Sequence, residues 1–353
     1  MAGGPAAGSL AFVISAWAGS SLSAASEPIV CAPGSGSLPV VRPEVFQPAS
    51  PPADEVASMA WLVLGICAGI FVVVELLLIV SIVKFRRRRG EVGEPQQVFG
   101  SNPIELAWTV VPLMIVFTLG LVTIRVIRDI DRTSPPDGAL EVVAIGHQWW
   151  WEYRYLDPAV PGGELVTANE LHVPVGRPIW LRLESADVIH SWWVPPLAGK
   201  TDLVPNRTNH TWFQADEPGL FLGQCAEYCG NQHAGMLLRV YAQPQAAFES
   251  WMASQGTPPV EDVTVASGRN LFQELACASC HAVRGLSVGA FAPDLTHLMS
   301  RDTIASGMLP LTRENLRAWI DDPQVIKPGC NMPSLKLSPA ELDAVTDYLM
   351  TLR

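Results

Sequence analysis

The sequence predicts a multidomain chain: a two-helix transmembrane hairpin, then an all-β domain, then an all-α C-terminal domain. Three observations predict it. Two long apolar runs, near residues 57–83 and 104–127, flank a cationic segment. From residue 138 the pattern changes to short strand-like stretches separated by Pro, Gly, Asn and Asp. Residues 263–353 hold capped segments with a 3.6-residue apolar period. Composition agrees, because 49% of the 353 residues are hydrophobic and only 16% are charged, which is apolar for a soluble protein.

The N-terminal stretch "SLAFVISAWAGSSLSAAS" has a short apolar core followed by small residues, as in a secretory signal spanning residues 1–25 with cleavage after Ala25. The first nine residues lack the usual Lys or Arg. Cys31 follows Val30, a poor fit to a lipoprotein cleavage site, so lipidation is not expected. Residues 26–56, rich in Pro, Ser and Gly, read as an extracytoplasmic connector. Both apolar runs are long enough to cross about 30 Å of hydrocarbon at about 1.5 Å per residue. A buried soluble hairpin is the alternative, and the length of both runs argues against it. The loop 84–103 carries Lys84 and Arg86 to Arg89, which places it in the cytoplasm and both chain ends outside. Glu75 lies deep in the first run; a charge in hydrocarbon is expensive, so it should be protonated or face a partner subunit.

Net charge is -11 and unevenly placed. Residues 1–127 carry seven basic and eight acidic side chains, and residues 128–353 carry 16 and 26. An acidic exposed portion disfavours nucleic acid and suits a basic protein partner. Residues 138–245 supply "ALEVVAIGHQWWWEYRY", "ELHVP", "PIWLRLES", "HTWFQA" and "LLRVYA", the pattern of an antiparallel sandwich. Residues 246–262 read as a linker.

Seven cysteines include two close pairs, and the odd total argues against a pure disulfide framework. The segment "QCAEYCGNQHAGM" (224–236) holds Cys225, Cys229, His233 and Met236. On a helix these would share one face. Gly230 and Gly235 oppose that, since each weakens a helix interior by about 1 kcal/mol. The strand-like flanks "GLFLGQ" and "MLLRVYA" suit a loop instead. Thiolate, imidazole and thioether together form a soft copper donor set, and two thiolates allow a second copper. "DVIHSWWVP" adds His190 from the end of a different strand.

With these motifs, "GHQWWWEYRY" and the two-helix hairpin, nearly the whole chain resembles cytochrome c oxidase subunit II, the copper-bearing subunit of haem–copper oxidases. The resemblance implies a cupredoxin-like Greek-key barrel and a binuclear CuA centre. In it Cys225 and Cys229 bridge, His190 and His233 are terminal, and Met236 and the Glu227 carbonyl are weak ligands. It further implies a magnesium ion reached by the Glu227 side chain at the interface with the catalytic subunit. Trp149 corresponds to the electron entry point, Asp187 to part of an acidic docking surface, and Glu105 to the mouth of a proton channel. Glu105 also suits a helix N-terminus on dipole grounds alone. His147 matches no ligand of the family, and His172 and His210 lie on strands without ligand spacing.

"ACASCHAV" contains Cys277, Cys280 and His281, the haem c attachment pattern. "IDDPQVIKPGCNMPSL" resembles the methionine loop of class I cytochromes c, which implies Met332 opposite His281, with Met299 and Met308 as alternatives. A thioether ligand raises the haem potential. Pro293 matches the family's proline beside the proximal histidine, which leaves His297 without a ligand role. Cys330 departs from the family pattern. A cytochrome fused behind a CuA domain looks like subunit II of a caa3-type oxidase. That resemblance implies electron flow from a cytochrome or respiratory-complex donor to haem c, CuA and the haem of subunit I. There oxygen is reduced to water and protons are translocated. The implied partners are subunits I and III, in a bacterial inner membrane crossed twice. Two alternatives are the CuA subunit of a nitric oxide reductase and a free-standing membrane electron carrier or copper chaperone.

Overall fold

The computed structural model describes residues 38–87, 90, 93–94, 96–156, 164–259 and 262–353. The signal segment, its cleavage site and Cys31 lie outside the described residues, as do Arg88 and Arg89 of the cationic loop.

Two long helices, α1 (Pro51–Lys84) and α2 (Asn102–Ile130), form the hairpin. The most apolar 18-residue stretches of the two have mean hydropathies of 2.9 and 2.4, and the side chains there are uncovered by the rest of the chain, as a lipid-facing or subunit-facing pair requires. Helix α1 begins six residues earlier than the connector reading allowed. Pro51 and Pro52 preset helical φ in the first turn, where no backbone donor is needed. The adjacent Ser50 is buried, and its Oγ accepts a bond from Gln214 N at 3.1 Å. The far end of α2 is tied down as well: Trp212 Nε1 donates to Ile130 O at 2.9 Å, and the Arg132 guanidinium lies 4.7 Å over the Trp212 ring.

The β domain is built from β1 (Val40–Val41), β2 (Leu140–His147), β3 (Trp150–Tyr155), β4 (Leu165–Ala168), β5 (Glu170–Pro174), β6 (Ile179–Ser185), β7 (His190–Trp192), β8 (Thr201–Leu203), β9 (Asn209–Phe213), β10 (Gly219–Gln224) and β11 (Leu237–Gln243). One sheet has the order β4-β3-β2-β6-β9, the other β1-β10-β11-β5, and β7 pairs with β8 apart from both. The sheets are mixed rather than antiparallel. β2 runs parallel to β6, β5 to β11, and β1 to β10. Alternating hydrophobicity reports which face of a strand is buried and carries no information about the direction of its neighbour. Trp151, Tyr153, Tyr155, Leu171, Trp192 and Phe213 fill the space between the sheets.

Two segments read as connectors belong to this domain. Val40 and Val41 add an edge strand, and the stretch read as a linker folds as α3 (Gln245–Gln255). Phe248 of α3 is buried, and Trp251 stacks on His172 at 4.2 Å. His172 is thereby sandwiched between Trp251 and Tyr241, and burial pushes its imidazole down to about 4.

The C-terminal domain comprises α4 (Ala266–Glu274), α5 (Cys277–Cys280), α6 (Arg313–Asp321), α7 (Pro323–Ile326) and α8 (Pro339–Leu349). A capping box between Ser338 and Glu341 starts α8. Helices α4 and α8 cross at Gly268, where a Cβ would stand 2.0 Å from Ala344 O, so only glycine permits the approach. Phe272, Leu342, Val345 and Tyr348 form a core separate from that of the barrel. Hydrogen bonds join the two domains. Both oxygens of buried Glu170 on β5 accept from Asp302 N, and Oε1 also accepts from Thr303 N and Oγ1; Tyr241 Oη donates to Asp302.

Candidate metal centre and haem cavity

The segment 225–236 leaves β10, makes a loop whose only regular piece is the short 3-10 turn His233–Gly235, and enters β11. It is not a continuous helix, so the shared-helix-face arrangement does not occur. The loop is held by backbone bonds from Cys225 N to Met236 O and from Ala226 N to Ser191 O, the second reaching β7 beside His190.

Within this loop Cys225 Sγ and Cys229 Sγ stand 3.8 Å apart, Cys229 Sγ lies 3.7 Å from His233 Nδ1, and Met236 Sδ lies 4.0 Å from Cys229 Sγ. Cys225 Sγ lies 3.2 Å from the Glu227 carbonyl oxygen. His190 arrives from β7, so that its ring nitrogen and the two sulfurs fall within 4.8 Å of one another. His190 is fully buried and seated on Gly146, where a Cβ would meet its ring at 2.7 Å.

The donor set fits a metal on three counts. His190 Nδ1 is buried with no protein hydrogen-bond partner, while Nε2 is held by Asp187 Oδ1 at 2.8 Å. A ligating histidine has this arrangement, one nitrogen oriented by a carboxylate and the other free. Metal–sulfur and metal–nitrogen bonds of about 2.3 and 2.0 Å span the observed S···S and S···N separations. Electrostatics supply the negative charge: the neighbouring Cys229 sulfur, with a contribution from His190, holds the Cys225 thiol far below the ordinary thiol range.

The structure distributes the remaining predicted residues unequally. Asp187 is exposed on one side, yet it orients His190 and accepts Gln148 N at 2.7 Å. Partial burial raises its carboxyl, but the bonds from His190, Val188 and Gln148 win and hold it below the usual range. Glu227 is exposed, with Oε1 accepting Tyr228 N at 3.2 Å. Trp149 is buried, and its Nε1 donates to the carbonyl of Cys229 at 3.0 Å. Gln148 Nε2, which no sequence pattern singled out, donates to the same carbonyl at 2.7 Å. Glu105 is far away, in the first turn of α2, about 37 Å along the helix from Ile130 at about 1.5 Å per residue.

The second site is a largely apolar cavity lined by Cys277, Cys280, His281 and Met332 together. His281 Nδ1 is 2.7 Å from Pro293 O, which fixes the tautomer and leaves Nε2 for an iron. Burial keeps this imidazole below the ordinary histidine range, hence neutral and able to bind metal. Met299 and Met308 do not line the cavity, and His297 Nε2 is engaged at 2.8 Å with Thr257 O. Cys330 lines the wall beside Met332. The barrel closes the other side of the cavity with Trp149, Trp150 and Asn169. Trp149 is therefore no open landing surface; it stands between the haem cavity and the copper loop.

Fold and sites together define a membrane-anchored electron-transfer subunit with a cupredoxin-like copper domain and a class I cytochrome c domain. Family models agree: the transmembrane domain of cytochrome c oxidase subunit II matches residues 41–126, its periplasmic domain residues 159–242, and cytochrome c residues 265–353. Subunit 2 of cytochrome c oxidase from Alkalihalophilus pseudofirmus is 36% identical over 317 residues, covering 87% of this chain and 90% of the relative. The corresponding subunit of Bacillus sp. (strain PS3) is 33% identical over 291 residues, covering 76% and 80%. The crystal structure of the periplasmic domain of cytochrome oxidase subunit II of Bradyrhizobium japonicum is 34% identical, covers 35% of this chain and 96% of that one, and has a TM-score of 0.32. The chain belongs to the cytochrome c oxidase subunit II family, in the caa3-type form that carries a fused cytochrome c. It is thus a component of a haem–copper oxidase, an oxidoreductase that contains subunit I, and the two family matches imply CuA copper and haem c.

Proposed function

We propose that this chain carries electrons from a respiratory donor through its own cytochrome domain to the copper loop, and from there to subunit I for the reduction of oxygen to water with proton translocation. One observation carries the reading: Trp149 and Trp150 close the haem cavity, and the Trp149 indole is hydrogen-bonded to the carbonyl of the copper-loop residue Cys229. When bound, the haem and the copper pair supply one-electron redox chemistry with little rearrangement.

The side chains have distinct tasks. Cys225, Cys229, His190, His233, Met236 and the Glu227 carbonyl would hold the copper. Asp187 orients His190. Cys277, Cys280, His281 and Met332 would hold the haem, and Pro293 O aims His281. With both His281 and Met332 available to the iron, the cytochrome domain would carry electrons, and oxygen reduction is assigned to subunit I. The exposed Glu227 carboxylate is free to reach a magnesium ion at the subunit I interface. Glu105, at the opposite membrane end from the copper domain, suits proton entry to subunit I. The chain then lies in a bacterial inner membrane with both redox domains outside, and subunit III completes the assembly. Protein purified with its partner subunits should contain haem c and two coppers and consume oxygen when a reduced cytochrome is supplied. Absence of copper, or turnover of nitric oxide in place of oxygen, would overturn the reading.

A further inference from the structure

Lys327 sits in the haem-methionine loop, five residues before Met332, and only 3% of its surface is exposed. Its Nζ donates to three backbone carbonyls: Trp149 O at 2.8 Å, Gly235 O at 2.8 Å and Ala305 O at 3.1 Å. An ammonium has three donors, so all are satisfied. The three acceptors come from different places. Trp149 is bonded through its indole to Cys229 O, Gly235 directly precedes the copper-loop residue Met236, and Ala305 belongs to the cytochrome domain. Two flanking bonds cross the same boundary: Asn331 Nδ2 donates to Gln148 O at 3.0 Å, and in the opposite sense Gln232 Nε2 of the copper loop donates to Pro328 O at 2.8 Å.

Removing the cation would leave three backbone carbonyls without this donor, and a buried group left unsatisfied is costly. Burial pushes this ammonium down to about 7, the mark of an expensive position. What the ammonium supplies is geometry, since one atom fixes the haem loop, the tryptophan pair and the copper loop relative to each other.

We propose that Lys327 is a positioning residue for internal electron transfer, setting the register of the haem-methionine loop against the copper loop. The inference rests on the electron route proposed above. The step it serves moves one electron from ferrous haem c to the oxidised copper centre, with no bond made or broken.

The test uses the intact, metal-loaded oxidase complex with Lys327→Met, which keeps the stem and removes the charge, and with Asn331→Ala/Gln232→Ala, which removes only the flanking ties. Haem c is photoreduced by a flash-activated ruthenium complex, and the rise of reduced copper is followed optically. Lys327→Met should slow this step several-fold, because electron tunnelling falls off exponentially as the two cofactors move apart. Copper and haem spectra should stay unchanged, while the unfolding temperature falls because three carbonyls lose their donor and hydrogen exchange in residues 327–332 speeds up. The double variant should slow the step less. A transfer rate within twofold of the parent in Lys327→Met overturns the proposal. If Lys327→Met fails to load its cofactors, Lys327→Gln is measured in its place, and a transfer rate within twofold of the parent there overturns the proposal as well. Should the parent protein itself show no transfer from haem c to copper, the electron route falls instead, and that outcome is distinguishable from the first.

Discussion

Glu170 gives the interface between the two redox domains a defined pH dependence. Its carboxyl is buried, and its partners lie across the boundary: Asp302 N at 3.1 Å, Thr303 N at 2.9 Å and Thr303 Oγ1 at 2.7 Å. Desolvation outweighs these bonds and, with Asp302 nearby, raises the group from 4.5 to about 7; the Arg239 charge opposes it. Because the folded group holds its proton more tightly than the unfolded one, the stability it contributes is fully present below about 4.5. That stability is lost as pH rises through about 7. The interval between 4.5 and about 7, at about 1.4 kcal/mol per decade, corresponds to about 3 kcal/mol.

Glu170→Gln mimics the protonated form at every pH and should remove this dependence. Its amide NH2 confronts the Asp302 N–H, costing about 1 kcal/mol for a lost hydrogen bond. The variant should therefore be less stable than the parent by about 1 kcal/mol near pH 4.5, and more stable by about 2 kcal/mol at pH 8. Thermal unfolding of the haem-loaded protein at a series of pH values, followed at the haem band, reads the crossover. Other titrating groups cancel in the comparison of the two proteins. A difference between parent and variant that stays constant from pH 4.5 to 8 would refute the reasoning.

The remaining expectations concern the two sites and the membrane. His190→Ala and Cys229→Ser should each abolish the copper absorption while leaving the haem c bands intact; survival of the copper spectrum in either would remove that residue from the ligand set. Asp187→Asn should weaken copper binding about 10- to 100-fold through loss of the imidazole's orientation, checked by competition with a copper chelator. Met332→Ala should lower the haem potential and convert the spectrum to one without a thioether ligand, whereas an unchanged spectrum would direct attention to Met299 or Met308. Glu105→Gln should slow steady turnover without altering the rate of copper reduction, and unaffected turnover would reject proton entry there.

Much of this architecture was legible because it is local. The apolar runs of α1 and α2, the Cys-x-x-Cys-His segment and the spacing from Cys225 to Met236 are short-range patterns, each demanding particular side chains within a few residues. Glycines at 230 and 235 likewise spoke against a helix before any fold was known. Strand direction was not legible, nor was the recruitment of Val40–Val41 and of Gln245–Gln255 into the barrel, because alternation and composition describe a segment without naming its neighbour. Lys327, Glu170 and Gln148 lie inside recognisable segments, but nothing local marks any of them as a residue that ties the domains together. Their partners lie 178, 133 and 81 residues away in the chain, and an isolated lysine or glutamate in a sequence reads as a solvated one. Residue identity and short-range spacing are enough to set the kinds of ligand and the segments that carry them. That the haem cavity and the copper loop share Trp149 as a wall follows instead from packing two separate cores together through bonds between groups distant in the chain.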